Sequence, residues 1–97
     1  MRLIEKEMLS AIINGRNWSK ANTRVSVNTV DGTTFTKVYL HDHLIACTGM
    51  WKGSLAVETC KDTLRNWPTR TTMSRLRALG VDVCTRKGDV MLNGAAL

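Results

Sequence analysis

The chain has 97 residues, of which 43% are apolar and 23% charged; this is the size of one domain with a modest core, and the composition excludes global disorder. Its 14 Lys and Arg stand against 8 Asp and Glu, a formal net charge of +6, a field that confers solubility and attracts DNA, RNA, acidic proteins or anionic lipid. No apolar run approaches the ~20 residues that span a bilayer, and Glu5, Lys6 and Glu7 interrupt what would be a secretory signal, so a cytoplasmic protein with no membrane role is expected.

Residues 2–14 predict a helix. Ile4, Met8 and Ile12 recur at i, i+4 and i+8, and Leu3, Leu9 and Ile13 widen the stripe. Arg2, Glu5, Lys6, Glu7 and Ser10 fall largely elsewhere, and Gly15 stands where a C-terminal cap belongs. The stripe reads as a core face, with a homodimer or partner groove as its alternative use. Residues 16–23 read as a polar turn with Trp18 at the core edge. Residues 24–30 alternate as a strand, Asp31-Gly32 is a two-residue hairpin signal, and Thr33 to Leu40 is the returning strand.

His41-Asp42-His43 reads as a turn and Leu44 to Cys47 as a short strand. Gly49 and Gly53 bracket a turn containing Trp51 and Lys52, and Ser54 to Thr59 alternates again. Residues 70–79 predict the second helix, with Thr69 as N-cap, Gly80 as stop and Met73, Leu76 and Leu79 as its buried stripe. A last hairpin turns at Lys87-Gly88. The order predicts an α+β fold over 1–97 as a single domain. It has a mainly antiparallel sheet of four to six short strands, helices on one face, an N-terminal helix, and one helix before a C-terminal hairpin.

Chemistry leaves few marks. Cys47, Cys60 and Cys84 are odd in number and widely spaced, which predicts reduced, mostly buried thiols rather than disulfides or zinc ligands. His41 and His43 share a side if extended, but no further ligand stands at diagnostic spacing, so two exposed imidazoles and no metal are expected. Nucleophile-elbow, zincin and Gly-rich phosphate-loop motifs are absent from the sequence, and acidic residues are scattered. A non-enzyme without cofactor is expected.

The second helix carries the sharpest signal. On a helical wheel Arg70, Ser74 and Arg77 lie together opposite Leu76, with Thr71 and Arg75 flanking, so three guanidiniums are expected to share one solvent face. Arg86 and Lys87 at the following hairpin tip extend it. Guanidinium forks match phosphate geometry, and such a patch would bind polynucleotide backbones in a salt-sensitive way. The alternative is a solvated cationic face. Leu76 and Leu79 are expected buried and Arg70 exposed, while Arg75 is expected to hydrogen-bond internally or to hold an anion near Trp67. A helix with a basic-tipped hairpin also resembles a winged-helix reader, but that motif needs a preceding helix, and strands are expected there.

The segments NGRNWSKANTRV, VYLHDHLIA and NWPTRTTMSRLRALGVDV, with LNG after them, resemble a group of small tailed-bacteriophage proteins. In that group L-H-G-N-x-I-A precedes G-W-x-T-x-T-T-x-x-R-L-N-A-L. The resemblance runs from Asn14 to Gly94 and is most specific at Trp67, Thr69, Thr71, Thr72, Arg75, Leu76, Ala78 and Leu79. The chain departs from the pattern at His41-Asp42-His43, Asn66-Trp67 and Arg75-Leu76-Arg77. The resemblance implies a phage origin and action inside a host bacterium. Within the motif, Trp67 with Thr69, Thr71, Thr72 and Arg75 is either a binding constellation or, as favoured here, a core Trp beside capping threonines.

Two functions follow as expectations. In the first, a phage accessory protein binds DNA or RNA through Trp67, Arg70, Thr71, Ser74, Arg75, Arg77, Arg86 and Lys87. In the second, a host-takeover or anti-defence protein binds and inhibits a bacterial protein.

Overall fold

The structure, a computed structural model, describes the backbone of residues 1–97 and every side chain except that of Trp51. Among the described residues, helix α1 (Leu3–Ile13) leads into strands β1 (Trp18–Lys20), β2 (Thr23–Val30), β3 (Thr33–Leu40), β4 (His43–Trp51) and β5 (Ser54–Thr59). Helices α2 (Lys61–Asn66) and α3 (Arg70–Ala78) follow, then strands β6 (Val83–Arg86), β7 (Asp89–Leu92) and β8 (Ala95–Ala96). The fold class is α+β, as the order of sequence signals implied.

The first five strands form an antiparallel meander in chain order. Its turns explain its register. Asp31-Gly32 joins β2 to β3 with both residues at positive φ, 52° and 79°, the backbone twist that a two-residue hairpin requires. His41-Asp42 makes the next turn, at φ 50° and 63°, and Lys52-Gly53 the one after. Strand β4 is therefore longer than the expected Leu44–Cys47. Gly49 stays within it opposite Ala56, and Trp51 is its last residue. Residues 18–20, expected as a polar turn, pair with Thr23–Val25 as edge strand β1.

Alternation assigns the two faces of this sheet. Thr23, Val25, Thr36, Val38, Leu40, Ala46 and Thr48 are buried on the inner face. Trp18, Val27, Leu55 and Val57 pack against the core more loosely. Met8, Ala11 and Ile12 of α1, Leu64 of α2, and Met73, Leu76 and Leu79 around α3 join Val83 and Leu92 in the same apolar cluster. The outer face carries Arg24, Ser26, Asn28, Val30, Phe35, Lys37, Tyr39, Leu44, Cys47 and Glu58, and all of these are exposed or half-buried.

Several expectations are corrected. In α1, Leu3 and Ile13 are 66% and 59% exposed, whereas Glu5, expected on the polar side, is buried; the inward face is Glu5, Met8, Ala11 and Ile12, one helical turn apart. Helix α2 was not anticipated; six residues are too few to display a helical period. The C-terminal hairpin does not extend the meander. It forms a separate three-stranded sheet with β8, turning at Asn93-Gly94. Cys47 and Cys60 are half-buried and Cys84 is exposed, all three free thiols. Cys84 faces outward because its neighbour Val83 takes the inward position of β6.

Candidate nucleic-acid interface

Helix α3 is bounded by strong local signals. The Thr69 hydroxyl accepts the Thr72 backbone N–H at 3.1 Å, and the two threonine hydroxyls lie 2.9 Å apart, an N-cap that satisfies one of the first orphan amides. At the other end Gly80, at φ 92°, and Val81 return their N–H groups to Arg77 and Leu76, the double bond that a left-handed glycine permits. Between these ends Thr72, Met73, Arg75 and Leu76 are buried, and Leu79 is buried just past the helix. Arg70 and Arg77 are exposed, with Thr71, Ser74 and Ala78 half-buried beside them.

Arg75 does not share that solvent face. It is 6% exposed, donating from one terminal nitrogen to Glu5 Oε2 at 2.8 Å and from Nε to the Thr23 hydroxyl at 3.0 Å. Ser74 donates to the same Glu5 oxygen at 2.6 Å. Burial raises the Glu5 pKa, but the hydrogen bonds from Ser74 and Arg75, the backbone contact at Arg2 and the Arg75 charge outweigh it. The carboxyl therefore stays ionised below its ordinary range. This cluster ties α1, α3 and β2 together. It takes Arg75, and with it the hydroxyl of Ser74, out of the expected surface patch. The signal was present in the sequence: Glu5 stands three residues before Met8 and seven before Ile12, on the stripe they define.

What remains is a rim of exposed cations on α3 and at the β6–β7 tip. Arg77 Nε donates to the Val83 carbonyl at 2.9 Å, and the Thr85 hydroxyl lies 3.9 Å from Met73 Sδ. Strand β6 thus runs back along α3. Four helical residues and two strand residues each advance about 6–7 Å, so the two contacts keep step. One more step brings Lys87, at the hairpin tip, towards the Arg70 end, while alternation turns Arg86, like Cys84, to the other face of β6. Arg70, Arg77, Arg86 and Lys87 are all exposed, with Asp89 opposite Arg86 in the hairpin register.

Trp67 sits at the entrance to this module. It is 48% exposed rather than a core residue, and it stacks on His43 with ring centroids 4.3 Å apart at 23°. The His43–Trp67 pair, with Leu40, Ile45, Thr63 and Thr72, lines a small cavity of about 200 Å³. Both imidazoles are exposed, as expected, and the His43 ring has the Trp67 ring as its stacking partner. Among the described residues no cluster of three or more His, Cys, Asp or Glu could hold a metal ion, and no helix is long and apolar enough to cross a membrane.

The order α2, three-residue link, α3, hairpin supplies the preceding helix that the sequence did not reveal. The class is thus a small α+β protein whose C-terminal half carries a helix–link–helix–hairpin module with a cationic rim. The chain belongs to the Kyanoviridae Gp96 protein family, whose model matches residues 1–96; it is a phage protein, as the resemblance implied. No curated protein and no solved structure matches it.

Proposed function

We propose that this phage protein binds duplex nucleic acid in the host cytoplasm, acting as a binding protein rather than an enzyme. The observation that supports the reading is the alignment of β6 along α3, through Arg77–Val83 and Thr85–Met73, with Arg70, Arg77, Arg86 and Lys87 all exposed on this module. Helix α3 lies on a groove with its exposed Arg70–Arg77 stripe, and the β6–β7 tip reaches the flanking phosphates, the disposition of a helix-plus-wing reader. Half-buried Ser74 between the arginines, and Ala78 beside them, keep the stripe low, so backbone can approach closely. Arg75 and Ser74 serve by holding α3 in place.

A mobility-shift titration with duplex DNA and duplex RNA at low and physiological salt tests this. Salt-sensitive binding is expected, weakened by Arg70→Ala with Arg77→Ala while the melting temperature is nearly unchanged. Absence of binding at low salt overturns it.

A second reading, binding and inhibition of a bacterial protein, draws support from a cleft of about 670 Å³ between β5 and the C-terminal sheet. Leu55, Val57, Leu79 and Leu92 line it beside the charged Glu58 and Asp62, and β5 is an edge strand of its sheet. An extended partner segment could pair there. Affinity capture from nuclease-treated host lysate distinguishes the two, because a stoichiometric protein recovered without nucleic acid favours this reading.

A further inference from the structure

We propose that the outer face of the five-stranded sheet is a stacking platform for unpaired bases, so that the protein also holds single-stranded nucleic acid. The inference stands on a different surface from the α3–β6 rim and does not depend on it. Strand β3 is the central strand of the meander, and its outward positions are Thr33, Phe35, Lys37 and Tyr39. The described side chains on this face are all exposed or half-buried, and the core lies on the opposite side. An aromatic, a cation and an aromatic therefore stand in line on the middle strand, the rings separated by four residues, or about 13–14 Å.

Ordinary packing does not call for this stripe. Phe35 is 50% exposed, opposite Asn28 in the register, so its ring is presented to solvent. Tyr39 faces Arg24 across the ladder, whose guanidinium lies over the ring 4.1 Å from its centroid. A planar cation over an aromatic ring is also a surface on which a base can stack. Among the described side chains of β2, β3 and β4 on this face, the charged ones are Arg24 and Lys37, both cationic. Asp42, at the adjoining turn, lies 3.9 Å from Arg24 and is exposed, so salt and solvent weaken its hold. Glu58 lies out on edge strand β5. Aromatic rings flanked by cations on an open sheet match a single strand, whose base faces are free. They do not match a duplex, whose bases are stacked on each other.

The test is fluorescence anisotropy with labelled oligo-dT, oligo-rU and a mixed-sequence duplex. It compares the parent with Phe35→Ala/Tyr39→Ala and with the aromatic swap Phe35→Tyr/Tyr39→Phe, folding being checked by thermal melts. The parent should bind at least one single strand. The alanine variant should lose about tenfold per ring on that strand, the swap should bind like the parent, and duplex affinity should stay put. The strand with the larger loss tells DNA from RNA. The proposal is overturned if the parent binds neither single strand, if the alanine variant binds them like the parent, or if it loses single-strand and duplex binding alike. Rim variants are read out on the duplex, so the two proposals fail separately.

Discussion

Glu5 and Arg75 show how burial decides the role of a charge. Their side chains are 5% and 7% exposed and meet at 2.8 Å. Removing one partner of such a pair strands the other in the core, at a cost of about 3–5 kcal/mol. Arg75→Ala and Glu5→Ala should each lower the unfolding free energy read from urea denaturation by that order, whereas Arg70→Ala, at an exposed position, should barely change it. The pH dependence has a definite sign. Because the Glu5 carboxyl is lowered in the fold, the bridge contributes its full stability above the unfolded glutamate pKa. That contribution is lost as pH falls through the lower, folded value. Glu5→Gln should therefore melt earlier at neutral pH and show a shallower acid decline, checked by melting curves across the acid range. A parallel decline in both proteins would mean that another carboxylate governs acid unfolding.

At the scale of elements, α3 was the most legible part of the chain, and the most instructive. Thr69, Gly80 and the Met73–Leu76–Leu79 spacing placed its ends and its buried face. Thr69→Ala should cost ~1 kcal/mol as a lost cap, and Leu76→Ala ~2–5 kcal/mol as a core truncation, both measurable by denaturant unfolding. The wheel could not tell that α1 would press Glu5 against Ser74 and Arg75. A wheel describes one helix in water, and the neighbour decides which flank is covered. Strands with two-residue turns were legible because turn chemistry is local: Thr33–Leu40 and Ser54–Thr59 fell where expected. Helix α2 was not legible, since its six residues bury little beyond Leu64 and leave no periodic trace. The separation of the C-terminal hairpin into its own sheet was hidden for another reason. Strand pairing is set by long-range packing, here Val83 and Leu92 against the core, which local alternation does not encode.

At the scale of the whole molecule, the layers divide the surfaces. Helices and the C-terminal sheet cover the inner face of the meander, leaving a cationic rim on α3 and β6 and an aromatic stripe on the far side of the sheet. The net charge of +6 gives long-range attraction for polyanions. Under the proposed function, Arg70, Arg77, Arg86 and Lys87 contact phosphates. The direct measurement is the salt dependence of duplex affinity for the parent and for the protein with all four changed to Ala. Each lost phosphate contact should flatten the slope of log affinity against log salt by about 0.9, so the four together should remove about 3–4. Affinity should fall most at low salt, with the fold intact. An unchanged slope and affinity would contradict the account and leave the rim a solvated surface.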